Sequence, residues 1–203
     1  MNWFRLFIGA AICVVLFATS SFSQDRSPDA HIMINDPALL SKQQAQAVYG
    51  ELKSRMADSY ALSQLEEISD YQSWPRVNNS PYISATHGNR YVNNYINSEG
   101  ATYASLQPGE KLPAGAMLLK DSFTVTNEGR TYPGALFGME KLAEGTNPDT
   151  ADWRYFMVIP DGSLFGDTTG ANAHLMTYCH ECHEAVADRD FTFYIPEDFR
   201  ATD

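Results

Sequence analysis

Near its carboxyl end the chain carries two thiols and an imidazole at a spacing that suits the attachment of an iron porphyrin. Cys179 and Cys182 stand three residues apart and His183 follows at once, which makes a Cys-x-x-Cys-His sequence. On one turn of helix, each thiol can add to a vinyl group of haem, and the next residue offers its imidazole nitrogen to the iron. The sequence therefore predicts one covalently bound haem c per chain, held by Cys179 and Cys182, with His183 as the proximal iron ligand.

Three other uses of these cysteines have to be weighed. A redox-active Cys-x-x-Cys pair belongs in a thioredoxin-like βαβ unit, and the sequence pattern contains none. A zinc site would need a second pair of ligands, for which His87 and His174 are candidates without the usual spacing. A disulfide across only two intervening residues would be strained. Within the motif, His180 is expected to be a spacer that faces solvent.

What a single haem does depends on its sixth ligand. A methionine ligand makes an electron carrier, whereas an open side binds or transforms small molecules. Candidate ligands are Met117, Met139, Met157 and Met176, although methionine also commonly fills gaps in a core. No methionine follows the motif in residues 184–203, and the motif lies near the end of the chain. Both features argue against the small electron-transfer cytochrome c fold and favour an open haem.

The amino terminus and the charge of the 203-residue chain indicate an exported protein. Arg5 precedes an apolar run over residues 6–18, and small residues around Ser23 suit cleavage, so residues 1–23 are predicted to be a signal peptide. The run is short for a membrane span, which takes about 20 residues, although a retained anchor is the alternative. A formal net charge of -11 disfavours nucleic acid and anionic membranes and favours a basic partner. We expect a periplasmic protein.

Hydrophobic periodicity divides the remainder into an N-terminal helical region at 24–70 and a haem domain at 71–203. The helical pattern is predicted to begin with Asp36 as its cap and Pro37 in its first turn, and to end near residue 67, as one long helix or as two. Its buried face would carry Val48, Leu52, Met56 and Tyr60.

Stretches with strand character follow, separated by turn sequences such as Pro160-Asp161-Gly162. They cover residues 116–125, 132–142, 152–159 and 163–165, with a last one at 191–195. Strands this close in sequence should pair antiparallel. Residues 170–190, which hold the cysteines, favour a helix. We therefore predict an α+β fold, a mostly antiparallel β-sheet with an N-terminal helical region and a C-terminal haem-binding helix.

Four segments that precede the haem motif carry a family resemblance. They are THGNRYVNNY at 86–95, AMLLKDSFTV at 116–125, PGALFGMEK at 133–141 and DWRY at 152–155. In this order, and with the haem motif after them, they resemble the cytochrome P-460 family, which also includes the cytochromes c′-β. The resemblance covers residues 74–199 and implies a homodimer whose haem is set against an antiparallel sheet.

The resemblance also assigns a role to Lys120. In the cytochromes P-460 a lysine nitrogen is bonded to a meso carbon of the porphyrin, and these enzymes oxidise hydroxylamine, with nitric oxide as a substrate or intermediate. The cytochromes c′-β lack that bond, and their open haem binds nitric oxide and similar gases. Lys120 matches the cross-linking lysine. As a nucleophile its amine must be neutral, so burial near the haem would have to lower its pKa.

Strand periodicity predicts which way Lys120 faces. Alternate residues of a strand point to opposite faces, so Lys120 shares a face with Leu118, Ser122 and Thr124. The other face carries Leu119, Asp121, Phe123 and Val125.

Other charged residues complete the expected site. Arg90, Arg154 and Arg76 are candidates for binding the haem propionates, since guanidinium grips a carboxylate with a bidentate fork. Proton removal from hydroxylamine needs an acid–base residue, for which Glu140 and Asp121 are candidates. The resemblance to the cytochrome P-460 family thus implies a protein that binds small nitrogen species and oxidises hydroxylamine. A non-catalytic nitric oxide-binding cytochrome and an electron carrier with a redox partner are the alternatives.

Overall fold

The computed structural model describes residues 33–201, and the predicted signal peptide lies outside this range. Two α-helices and seven strands make up its regular structure, together with short 3-10 turns. The helices are α1 (Lys42–Ala61) and α2 (Thr177–His183). The strands are β1 (Tyr82–Ser84), β2 (Arg90–Ile96), β3 (Met117–Val125), β4 (Thr131–Pro133), β5 (Leu136–Lys141), β6 (Trp153–Val158) and β7 (Leu164–Asp167). No helix within residues 33–201 is both long and apolar enough to cross a membrane.

All seven strands belong to one antiparallel sheet, which confirms the predicted α+β fold. The strand order is β1-β2-β3-β5-β6-β7, and β4 pairs with the far end of β3. The predicted strand at 132–142 divides into β4 and β5 at Gly134, which packs closely on Ser122 of β3. Strands β1 and β2 were not predicted from the sequence.

The predicted strand at 191–195 does not form. Asp190 and Phe191 have φ angles of 50° and 62°, in the left-handed region, and this turns the chain away from extended geometry. The segment instead crosses the end of α2 as an irregular stretch, where the Phe191 carbonyl meets a side chain of that helix.

Helix α1 begins later than predicted, because Ser41 and not Asp36 is its cap. The Ser41 hydroxyl accepts a hydrogen bond from the Gln44 N–H, and the Gln44 side chain accepts one from the Ser41 N–H, which makes a capping box. The Asp36 carboxylate instead accepts a hydrogen bond from Asn127 at 2.6 Å. The helix ends at Ala61 rather than near residue 67, and the left-handed conformation of Gln64 at φ 61° prevents its continuation.

The sheet buries both of its faces. On one face α1 packs Leu52, Met56 and Tyr60, as predicted, against Leu119 and Phe123 of β3. On the other face a second apolar cluster joins the sheet to α2 and to the irregular stretch that follows it. This cluster includes Val92, Trp153, Tyr155, Met157 and Met176. The alternation predicted for β3 is therefore correct, and its two sides serve different cores.

A buried carboxylate fastens α1 to the sheet. Asp121 is fully buried on the α1 face and accepts hydrogen bonds from Tyr49 at 2.7 Å, Tyr71 at 3.0 Å and Asn93 at 3.1 Å. Burial raises the pKa of Asp121 to about 6, although these donors act in the opposite direction. Asp121 lies on the face opposite to Lys120, so its role is structural and it is not an acid–base residue for bound substrate.

The raised pKa of Asp121 predicts a pH-dependent stability. A carboxyl with a higher pKa in the folded chain gives stability that is complete below its unfolded pKa and is lost as the pH rises through about 6. Between pH 7 and pH 5, the unfolding free energy of the wild type should rise by about 1 kcal/mol relative to that of Asp121→Asn. Urea unfolding of both proteins at the two pH values measures the difference. A difference that does not vary with pH would contradict this assignment.

Candidate functional site

A cavity lies between the sheet and α2, on the face opposite to α1. It encloses about 900 Å³, part of it open to solvent, which is within the size range of cofactor sites. Its walls come from β2, β3, β5 and β6 on one side and from α2 and residues 192–193 on the other. Five lining residues carry reactive groups, namely His87, Lys120, Cys179, Cys182 and His183. The structure thus brings the haem motif and Lys120, which are 59 or more positions apart in the chain, into one cavity.

Helix α2 presents the two thiols to this cavity. Cys179 and Cys182 are one helical turn apart and are both free, the first half-buried and the second exposed. Burial raises the pKa of the Cys179 thiol to about 12. A redox-active Cys-x-x-Cys pair needs a lowered thiol pKa, and the antiparallel sheet contains no βαβ unit. The geometry therefore disfavours the thiol–disulfide alternative.

His183 has a defined tautomer. Its Nδ1–H donates a hydrogen bond of 2.6 Å to the Phe191 carbonyl, and because a carbonyl can only accept, the proton must be on Nδ1. Nε2 therefore keeps a lone pair. Burial is the main reason why the pKa of His183 falls to about 4, so the imidazole is neutral at pH 7. The rings of Tyr155 and Phe193 pack edge-on against the imidazole at centroid distances of 5.5 Å and 5.2 Å.

These features fit a haem of the c type. The cavity is mostly apolar, as a flat macrocycle requires, with Leu118, Phe137 and Met139 among its lining side chains. The two thiols and a neutral imidazole with one available nitrogen face it from the same helix. A carbonyl that holds the second ring nitrogen is the usual partner of a metal-binding histidine. Within residues 33–201, no three His, Cys, Asp or Glu side chains converge into a site for a separate metal ion.

Lys120 enters the cavity from the middle of β3. It pairs with Asn94 of β2 and with Phe137 of β5, so the strands on both sides hold its backbone in place. Burial lowers the pKa of its amine to about 8. The neutral form, which a nucleophilic amine requires, is therefore more populated near neutral pH than it is in an ordinary lysine.

His87 is a cavity residue that the sequence analysis considered only as a zinc ligand. Both of its ring nitrogens lie 3.4 Å from Lys120 Nζ, and its ring packs edge-on against Phe137 at 5.0 Å. The turn between β1 and β2 places it there, with Gly88 and Asn89 at positive φ angles of 77° and 57°. This Gly-Asn pair was the available signal, since such residues favour a tight hairpin turn.

The arginines predicted to bind propionates are not among the residues that line the cavity. Arg154 is paired with Glu67 and Asp167 and with Glu140, at 2.7 to 2.8 Å, on another part of the sheet. The same contacts make Glu140 an ion-pair residue and not an acid–base candidate. Arg90 packs against Gly134 outside the cavity, where burial lowers its pKa. Arg76 donates a hydrogen bond to Gln46 at 2.8 Å.

The candidate methionines and the two remaining histidines differ in whether they line the cavity. Of the four methionines, only Met139 is among the cavity's lining residues, whereas the other three are buried in the two cores. His174 is exposed and does not line the cavity. His180 was predicted to face solvent, but the residue is buried, and its ring packs against Tyr155 and Phe191.

Comparison with protein-family models gives a match to the chain. The family model for cytochrome P460 matches residues 68–194, which is more than half of the chain and includes every residue that lines the cavity. No curated protein matches the chain. Membership in this family implies haem binding, in agreement with the fit of the cavity. The chain belongs to the cytochrome P460 family.

Proposed function

We propose that each chain binds one haem c covalently, through thioether bonds from Cys179 and Cys182, with His183 Nε2 as the proximal iron ligand. The supporting observation is that both thiols and the imidazole face one apolar cavity, with the Nδ1 proton of His183 already bound to the Phe191 carbonyl. When bound, the iron would supply a redox centre and a site for small ligands. The thioether bonds would prevent loss of the haem after export.

Covalent attachment predicts that the haem survives denaturation. Haem peroxidase staining should remain on the wild-type band of a denaturing gel and should be absent after Cys179→Ala with Cys182→Ala. The matched control is His174→Ala, an exposed site outside the cavity, which should retain the stain. Release of the wild-type haem into acidified acetone would contradict covalent attachment.

For the reaction, we propose that the haem-loaded protein would oxidise hydroxylamine and bind nitric oxide in the part of the cavity that Lys120 and His87 line. The observation that carries this proposal is the Lys120 amine, which faces the same cavity as the haem motif and has a pKa lowered to about 8. A neutral amine at that position could form a bond to a porphyrin meso carbon. This bond replaces one N–H and one C–H bond, so an oxidant of the peroxide class must take up the two hydrogens.

His87 is the proposed proton acceptor. Oxidation of hydroxylamine releases protons and electrons, and proton removal requires a base within reach of the bound molecule. His87 lies beside Lys120 in the cavity wall, and Ser84 Oγ is 2.9 Å from its Nδ1. The electrons would pass to a redox partner, for which the strongly acidic chain suits a basic protein.

The Lys120 bond can be tested directly. Because a nitrogen substituent on a meso carbon perturbs the conjugated ring, the main absorption band should lie well away from that of ordinary haem c. Proteolysis should yield one haem peptide that contains both the 179–183 segment and the Lys120 segment. Lys120→Ala should restore an ordinary haem c spectrum and abolish hydroxylamine oxidation, while nitric oxide still binds.

Two controls make this experiment specific. Lys111→Ala removes an exposed lysine and should change neither the spectrum nor the activity. His87→Gln should keep the shifted spectrum but slow hydroxylamine oxidation by on the order of 100-fold, the lower range for loss of a general base. An ordinary wild-type spectrum with two separate peptides would mean that the protein is a c′-β-like binder of nitric oxide and not this enzyme.

Met139 favours one further candidate function. It lies in the cavity wall, and as a sixth ligand it would make the protein an electron carrier.

We further propose a periplasmic location, from the predicted signal peptide, and a homodimer, from the family resemblance.

A further inference from the structure

The Phe191 carbonyl that binds His183 comes from an unusual backbone segment. Asp190 and Phe191 are consecutive non-glycine residues with φ angles of 50° and 62°. L-residues rarely adopt this conformation, and two in succession require support from the surrounding structure. The Phe191 N–H donates to the Val186 carbonyl at 3.1 Å, and this bond closes the turn. This turn directs the Phe191 carbonyl towards His183 Nδ1, with which it forms a hydrogen bond.

The support comes from the Asp190 side chain. Its carboxylate is buried and accepts hydrogen bonds from Lys141 Nζ at 2.6 Å, from the Leu112 N–H at 2.9 Å and from Trp153 Nε1 at 3.3 Å. Lys141 is the last residue of β5 and Trp153 the first of β6, so two paired strands of the sheet hold this carboxylate. Asp190 is therefore anchored to the rigid part of the fold immediately before Phe191.

Lys141 is itself held in position. Its side chain is 7% exposed and that of Asp190 is 1% exposed, so the pair is shielded from solvent. The Lys141 ammonium also donates to the Ala151 carbonyl at 3.1 Å and lies 4.9 Å from the centre of the Trp153 ring. Neither Lys141 nor Asp190 lines the cavity, so neither can touch haem or substrate there.

We propose that Asp190, held by Lys141, is a positioning residue that fixes the Phe191 carbonyl on His183 Nδ1 and so sets the strength of the iron–histidine bond. This inference rests on the proposed role of His183 as the iron ligand. When the ring nitrogen that does not bind the metal donates a short hydrogen bond, the basicity of the ligating imidazole rises. A more basic imidazole donates more strongly to iron and favours the ferric state. The buried ion pair would therefore tune the haem from outside the cavity.

The test uses haem-loaded Asp190→Asn and two measurements that do not depend on activity. The iron–histidine stretching frequency of the ferrous protein, from resonance Raman spectroscopy, should fall relative to the wild type. The midpoint potential should rise, because the ferric state loses donation from His183.

The matched control is Asp167→Asn. It removes the carboxylate from another buried ion pair, with Arg154 at 2.8 Å, which lies away from the cavity. It should leave the stretching frequency and the potential at their wild-type values. Because removal of one partner of a buried pair can prevent folding, a second variant replaces both partners with apolar residues, Lys141→Met with Asp190→Leu. That variant should show the same two shifts as Asp190→Asn.

The outcomes separate this inference from the function on which it rests. Wild-type protein without an iron–histidine band would mean that His183 is not the ligand, and both would fail. A wild-type band that stays unchanged in Asp190→Asn and in the double variant would overturn the positioning role alone. Equal shifts in Asp167→Asn would also overturn it, because the effect would then be one of general stability.

Discussion

The two-residue period of an extended strand is the constraint on which this structure depends. Neighbouring residues of β3 point to opposite faces of the sheet, so Lys120 faces the cavity while Asp121 faces α1. Asp121 gathers two tyrosines and an asparagine into a buried network that fastens α1 to the sheet. A shift of one residue in the register of β3 would turn the Lys120 amine towards α1. It would also remove the Asp121 carboxylate from its hydrogen-bond donors. Pairing with β2 and β5 on both sides prevents such a shift.

Burial gives the cavity its chemical character. It raises the pKa of Cys179, and it lowers the pKa of Lys120 and of His183, so all three groups are shifted towards their neutral forms. Neutral groups suit an apolar macrocycle, because no buried charge is left without a partner. Lys141 and Asp190, which are also buried, form an ion pair with each other outside the cavity. The same physical effect thus serves haem binding and leaves an amine able to react.

Local sequence predicted much of the cavity side of the molecule. The haem motif, the face of Lys120 and the antiparallel meander from β3 to β7 follow from spacing, periodicity and turn residues, and all of these depend on near neighbours in the chain. Strand β2 was not predicted because the polar residues Asn93 and Asn94 interrupt its apolar pattern. Both are buried in the fold, where they form hydrogen bonds with residues outside the strand. His87 was not recognised as a cavity residue for the same reason. Its position depends on how that hairpin pairs with β3.

Long-range contacts also determine positions that the local sequence does not predict. Arg154 forms an ion pair with Glu67, 87 positions away, within a cluster of three carboxylates. The helix cap moved from Asp36 to Ser41 because Asp36 is engaged by Asn127, 91 positions away. The turn at Asp190 depends on Lys141 and Trp153, which no local pattern reveals. Partners of this kind are determined by the fold and not by the neighbouring sequence.

The central claim is that the cavity holds a haem with His183 on one side and no protein ligand on the other. Absorption spectra of the ferric and the ferrous protein, with resonance Raman spectra of the ferrous protein before and after addition of carbon monoxide, test it most directly. The account predicts a five-coordinate high-spin iron that takes up carbon monoxide without loss of a protein ligand. A low-spin spectrum with a ferric methionine–iron charge-transfer band, lost in Met139→Leu, would contradict it and would identify an electron carrier.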